Sequence, residues 1–129
     1  MSGHHLILGS LTDLVTGETL EDTLDERCRQ KIARLLLDEK GFRRTEIEPR
    51  RELLLQAGER RAVIRVDFIV RLKGRALMVI RFGPGSLVSR ERPTLAVSRL
   101  IEGYQIPLAV VTNGEEAEIL DGESGWPRR

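Results

Sequence analysis

The chain has 129 residues, of which 21 are Lys or Arg and 20 are Asp or Glu, so its formal net charge at pH 7 is +1. This length suits one domain with one core, and the balanced charge excludes attraction to nucleic acid or membranes by net charge alone. The single cysteine, Cys28, excludes an internal disulfide and a cysteine-based zinc site. No apolar stretch reaches 18 residues and no signal-peptide pattern is present, so we expect a cytoplasmic protein with no membrane partner.

The chain begins with a lead-in over residues 1–21 that we expect to be only partly ordered. A helix is predicted over about 23–40, because Thr23 suits the N-cap and Glu26 completes a capping-box pattern. Gly41 is typical of the residue that ends a helix. An apolar stripe at helical spacing supports this helix and comprises Leu24, Cys28, Ile32, Leu35 and Leu36. Strands are expected next, near 45–48 and 52–57.

Two longer strands are predicted over 61–72 and 76–83 because apolar residues alternate with polar ones. They are separated by residues 73–75, which contain a glycine suited to a tight turn. A three-residue loop would place Asp67 opposite Arg81 on one face of the sheet. A loop of two or four residues would place them on opposite faces, because a slip by one residue inverts every side chain.

The last part of the chain is predicted to form a helix and two strands. Pro93 suits the first turn of a helix, whose apolar stripe comprises Val97, Leu100, Ile101 and Tyr104. The continuous apolar run over 107–111 is typical of a buried parallel strand. Asn113-Gly114 predicts a hairpin turn, and 117–120 is the returning strand.

This element order predicts a fold of the α/β class with a mixed central β-sheet flanked by helices. The domain is expected to span residues 22–121, followed by a flexible tail over 122–129.

Three segments carry a resemblance to a known family: 26–30 at the start of the first helix, 66–68 in a strand, and 104–114. Together and in this order they resemble the N-terminal domain of the type I restriction enzyme R protein, over about residues 21–120. That domain is placed in the PD-(D/E)xK, or restriction-endonuclease-like, superfamily. The resemblance therefore implies a restriction-endonuclease-like version of the α/β fold.

The resemblance also implies where a nuclease site would lie. In the family a helix glutamate, a strand aspartate and the glutamate of an E-x-K motif surround a divalent ion, and the lysine assists the attacking water. Glu26 and Asp67 match the first two positions, but Arg81 and Gly83 occupy the E-x-K positions. An arginine cannot ligate a cation and a glycine cannot handle protons. We therefore expect catalytic remnants at Glu26 and Asp67, no metal site and no cofactor, with Arg81 placed where the metal would be and paired with the two acids.

Each of these residues has a structural alternative. Glu26 can serve only as the third residue of the capping box. Asp67 can be a surface acid that pairs with Arg65 or Arg71 on its own strand.

The segment 83–93 predicts an anion-binding loop. Residues 43–92 hold 13 basic and 6 acidic groups, so this part of the chain is locally basic although the whole is not. Glycines and a following helix N-terminus favour an anion. The candidate contacts are Arg81, Ser86, Ser89, Arg90 and Arg92. The alternative is an ordinary polar connection.

These features favour a non-catalytic pseudo-nuclease module that binds DNA or another phosphate-bearing ligand. One alternative is a DNA endonuclease dependent on Mg²⁺ or Mn²⁺, with a rearranged site in which Glu91 or Glu102 replaces the missing acid. Another is a protein-interaction module that forms a homodimer or binds a protein partner.

Overall fold

The computed structural model describes residues 7–84 and 86–127. The chain divides into two compact units, residues 1–47 and 48–129, and each unit contains its own β-sheet. The α/β class predicted from the sequence is confirmed. Within the described part of the chain, no helix is long and apolar enough to cross a membrane.

The first unit opens with an antiparallel hairpin of β1 (Ile7–Thr12) and β2 (Thr19–Thr23). Asp13 organises the connection, because one carboxylate oxygen accepts the backbone N–H of Val15 at 3.1 Å and the other accepts the hydroxyl of Thr16 at 2.8 Å. This hairpin lies in the segment expected to be a partly ordered lead-in. The Asp-x-x-Thr turn signal, which fixes the chain locally, was not used in that prediction.

Helix α1 (Leu24–Arg34) begins where the sequence predicts. Thr23 is the N-cap, and its hydroxyl oxygen accepts the backbone N–H of Glu26 at 3.0 Å. The helix continues through a wider turn over Leu35–Glu39, in which hydrogen bonds span five residues. Gly41, at φ +75°, ends it, and both predicted helix signals are confirmed.

The apolar stripe predicted for this helix is only partly correct. Ile32 and Leu36 are buried, whereas Leu24 and Leu35 are more than 40% exposed. Leu35 begins the wider turn, where the spacing of side chains departs from 3.6 residues per turn. A single 3-10 turn over Arg44–Glu46 follows.

The second unit is built on a five-stranded mixed sheet with strand order β3-β4-β5-β6-β7. Strands β5 and β6 are parallel, while the β4–β5 and β6–β7 pairs are antiparallel, so the predicted mixed sheet and its buried parallel strand are confirmed. The two short strands expected near 45–48 and 52–57 form one strand. The strands are β3 (Ile47–Ala57), β4 (Arg60–Leu72), β5 (Arg75–Phe82), β6 (Leu108–Thr112) and β7 (Ala117–Asp121).

The turn between β4 and β5 has two residues, so the three-residue loop that we favoured is wrong. Lys73 and Gly74 lie at φ 53° and 79°, and Leu72 pairs with Arg75. Positive φ at both central residues is typical of the type I′ turn, whose twist matches that of the two strands.

A bulge in β5 restores the register that the short turn would have changed. Leu77 is the extra residue, and beyond it Phe68 pairs with Ile80, as a three-residue loop would give. Asp67 and Arg81 are the next residues outward from this pair. The predicted register of Phe68 and Ile80 is therefore correct although the predicted turn length is wrong, because the two-residue turn and the bulge compensate each other.

Helix α2 (Val88–Ser98) begins five residues before the predicted start and encloses Pro93. It ends at Ser98, so Tyr104 does not lie on the helix. Instead the Tyr104 hydroxyl accepts the backbone N–H of Ala76 at 2.7 Å, which ties the segment after α2 to the start of β5.

The core of the second unit lies between α2 and the sheet. Its buried members come from β4 to β7, from α2 and from the segment after it, and are Val66, Ile69, Ala76, Val79, Val97, Ile106, Ala109 and Leu120. This packing fixes α2 against β5 and β6. It therefore sets where side chains of α2 meet the end of β5.

Candidate anion-binding site

The carboxyl end of β5 is organised by Asp67, which is 3% exposed. One of its carboxylate oxygens accepts the backbone N–H of Phe82 at 2.6 Å. The side chain of Asp67 therefore satisfies a β5 donor just beyond the pair of Phe68 and Ile80. The alternative that Asp67 is a surface acid is wrong, because the residue is buried.

Arg71, the other partner considered for Asp67, belongs to a separate ion network. Its guanidinium bonds Glu102 at 2.7 Å and Glu48 at 3.0 Å, and Arg51 also bonds Glu48 at 3.0 Å. Glu102, one of the acids considered as a replacement ligand, is engaged in this network. Burial tends to raise the pKa of Glu48, but the hydrogen bonds and charges of the two arginines lower it below its ordinary value.

Arg81 crosses from β5 towards β4. Its Nε donates to the backbone carbonyl of Arg65 at 3.1 Å. Burial lowers the pKa of Arg81, the charge of Asp67 opposes this shift, and the positive charge of Arg90 adds to it. Arg81 is therefore near both Asp67 and Arg90. The group remains protonated at physiological pH because an arginine pKa lies so high.

The guanidinium of Arg90 lies where a side chain at position 83 would begin. A Cβ placed on Gly83 would overlap Cζ and Nη1 of Arg90 and would lie 2.7 Å from its Nε. The Nη2 of Arg90 donates to the carbonyl of Pro84 at 2.6 Å, and Gly83 itself is held by its N–H bond to the carbonyl of Thr112 at 3.1 Å. In the chain as described, the buried Nε of Arg90 has no hydrogen-bond partner.

The remaining candidate contacts lie on or beside the first turns of α2. Ser86 precedes the helix, and both Ser86 and Arg92 are exposed. The hydroxyl of Ser89 donates to the backbone carbonyl of Ser86 at 3.3 Å. The predicted loop up to Pro93 is therefore wrong, because Ser89, Arg90 and Arg92 are helical. The backbone N–H of Arg90 donates to the carbonyl of Leu87 at 3.0 Å. The candidate donors to an anion at this position are therefore side-chain groups and not this backbone N–H.

Glu26, the second catalytic remnant considered, lies in the first unit. It is 8% exposed, and its carboxylate accepts bonds from Gln30 at 3.4 Å and from Arg29 at 3.5 Å. Gln30 also donates to the carboxylate of Asp13 at 3.2 Å, so these side chains form a polar network that the sequence did not reveal.

Two guanidinium groups contribute positive charge near Asp67. Hard cations need several oxygen ligands, whereas the guanidinium groups of Arg81 and Arg90 bring positive charge to the end of β5. In neither unit do the described residues include three His, Cys, Asp or Glu side chains grouped closely enough to hold a metal ion.

Comparison with known proteins identifies one family. The family model described as the type I restriction enzyme R protein N terminus matches residues 24–125. The match includes α1, the whole five-stranded sheet and the corner formed by Asp67, Arg81, Gly83 and Arg90. No curated protein sequence and no solved structure matches the chain.

Proposed function

The chain belongs to the family of type I restriction enzyme R protein N-terminal domains, and we propose that it is a non-catalytic module that binds DNA through its phosphate groups. The proposal includes a restriction-endonuclease-like fold whose E-x-K positions, 81 and 83, have lost their chemistry. Neither Mg²⁺ nor Mn²⁺ takes part in this function.

The observation that carries the proposal is the position of Arg90 over Gly83. Because Gly83 has no side chain, a space remains at the end of β5, and the guanidinium of Arg90 on α2 fills it. Arg81 lies near enough for the charge of Arg90 to lower its pKa. The positive charges of Arg81 and Arg90 thus act on each other near one buried acid, and the local excess of positive charge favours an anion.

Phosphate is the anion that best suits these donors. A guanidinium presents planar pairs of N–H groups that match two phosphate oxygens. The Nε of Arg90 is buried and has no partner in residues 7–84 and 86–127, so the acceptors of the described chain leave the guanidinium incompletely bonded. Arg92, Ser86 and Ser89 are exposed on the adjacent turn and would extend the contact along a phosphate backbone.

Binding by this surface would depend on charge more than on base sequence. Contacts to phosphates fix the position of a protein on DNA and carry no direct sequence information. The affinity is therefore expected to fall steeply with salt, because each neutralised phosphate releases counterions.

The competing activity is a metal-dependent endonuclease built on Glu26, Asp67 and a displaced acid. Glu102 is bound to Arg71 at 2.7 Å and would have to leave that ion pair to ligate a metal. Glu91 is partly buried on α2 and remains the other displaced acid for this alternative. A module that binds a protein partner or a second copy of the chain would use the fold for its surface, without any nucleic-acid affinity.

The proposal is tested by fluorescence anisotropy of a labelled DNA duplex with Arg81→Gln and Arg90→Gln. The matched control is Lys73→Gln, which removes one positive charge from the turn at the opposite end of β5. We expect Arg81→Gln and Arg90→Gln each to weaken binding about tenfold, equivalent to about 1.4 kcal/mol, and the control to have little effect. Equal losses in all three variants would indicate nonspecific attraction, and absence of binding would leave a protein partner as the better function.

A further inference from the structure

A second basic site lies in the first unit, apart from the residues proposed to bind DNA. It is a groove of about 290 Å³ beside α1. Its lining combines side chains from the end of β1 and the residues just after it with side chains of the helix, most of them basic: Leu11, Thr12, Leu14, Arg27, Gln30, Lys31 and Arg34.

The basic residues of the groove share one face of α1. Arg27, Lys31 and Arg34 are separated by four and three residues, the spacing that brings side chains together on a helix. Arg27 is already neutralised by Asp22, with bonds of 2.7 and 2.8 Å to its two carboxylate oxygens. Lys31 and Arg34 are exposed, and neither side chain has a hydrogen bond or ion pair to the part of the chain that the structure describes.

Stabilisation of a helix end does not account for these two cations. Positive side chains in a last turn often stabilise unbonded carbonyls. Here the chain continues through the turn over 35–39, and the backbone N–H of Leu35 contacts the carbonyls of Lys31 and Ile32. The helical segment ends at Glu39, more than a turn beyond Arg34, so its exposed carbonyls lie elsewhere.

The apolar wall is fixed to the helix. The backbone N–H of Leu14 donates to the side-chain oxygen of Gln30 at 2.9 Å, and Gln30 in turn donates to Asp13 at 3.2 Å. Leu11 and Leu14 are both half-buried. Hydrogen bonds within the first unit therefore hold the apolar wall against the helix.

We propose that this groove binds a small organic phosphate monoester with an apolar or aromatic body. Its phosphate would lie between Lys31 and Arg34, within reach of the exposed hydroxyl of Thr12. Its apolar body would pack against Leu11 and Leu14. The proposal shares no residue with the DNA-binding surface, so either can fail without the other.

Isothermal titration calorimetry with phenyl phosphate tests this site in the full chain. We expect saturable binding that Lys31→Gln combined with Arg34→Gln weakens at least tenfold. The control Lys40→Gln, an exposed lysine that does not line the groove, should leave the affinity unchanged. Inorganic phosphate, which lacks the apolar body, should bind at least fivefold more weakly than phenyl phosphate.

Three results would overturn the assignment. One is the absence of saturable heat with phenyl phosphate. Another is equal affinity for inorganic phosphate and phenyl phosphate, which would remove any role for the leucine wall. The third is binding that survives the double variant but disappears in Arg90→Gln, because the ligand would then occupy the DNA-binding surface.

Discussion

Replacement of Gly83 by alanine tests whether Arg90 needs the space beside Gly83. The φ angle of Gly83 is not in the left-handed region, so an alanine can adopt its backbone conformation. The added Cβ would overlap the guanidinium of Arg90, which must then leave the carbonyl of Pro84. A hydrogen bond of a charged group contributes about 1.5–3 kcal/mol. Because Arg90 is only half-buried, water replaces much of this bond, and we expect the free energy of unfolding to fall by less than about 1 kcal/mol.

The effect on DNA binding should exceed the effect on stability. The slope of log affinity against log salt is negative, and the loss of one phosphate contact decreases its magnitude by about 0.9 for duplex DNA. Anisotropy titrations from low to moderate salt measure this slope, and Gly83→Ala should show the same decrease as Arg90→Gln. The double variant should lose no more than either single one, because both remove one contact. Gly103→Ala is the matched control, since its Cβ would meet nothing within 4 Å. An unchanged slope in Gly83→Ala, or an equal loss in Gly103→Ala, would refute the reasoning.

Three further predictions concern the stability of the chain, measured by chemical denaturation. Glu48 has a folded-state pKa below its ordinary value, so its ion pairs stabilise the protein above the unfolded-state pKa of about 4.3. This stabilisation is lost as the pH falls through the folded-state pKa. Glu48→Gln should therefore lower the free energy of unfolding at pH 7 and lower it less near pH 3. Tyr104→Phe leaves the buried N–H of Ala76 without its acceptor and should cost about 1–3 kcal/mol; an unaltered stability would contradict this role. Thr23→Ala removes a helix cap and should cost about 1 kcal/mol, restored mostly by Thr23→Ser.

The sequence predicts the elements that depend on local signals. Thr23 and Gly41 correctly mark the ends of the first helical segment, because capping and positive φ are properties of short stretches of chain. The continuous apolar run over 107–111 correctly predicts the parallel strand β6. The start of α2 was wrong because Pro93 was taken as a helix start, whereas the helix encloses it.

The corner at the end of β5 could not be predicted in full. The register of Phe68 and Ile80, the neighbours of Asp67 and Arg81, was predicted correctly only because the bulge at Leu77 offsets the two-residue turn, and no local signal marked that bulge. Gly83 was interpreted as a lost lysine. That Arg90 fills its place depends on how α2 packs on the sheet, a long-range contact that spacing along the chain does not encode.

The central claim is that the chain binds DNA by charge and does not cleave it. The most direct test is one set of samples of labelled duplex DNA across a salt series, with and without Mn²⁺, read by anisotropy and then on a denaturing gel. The account predicts affinity that falls steeply with salt, is unchanged by Mn²⁺ and leaves the DNA intact. Cleavage that requires Mn²⁺ and disappears in Asp67→Ala would contradict it.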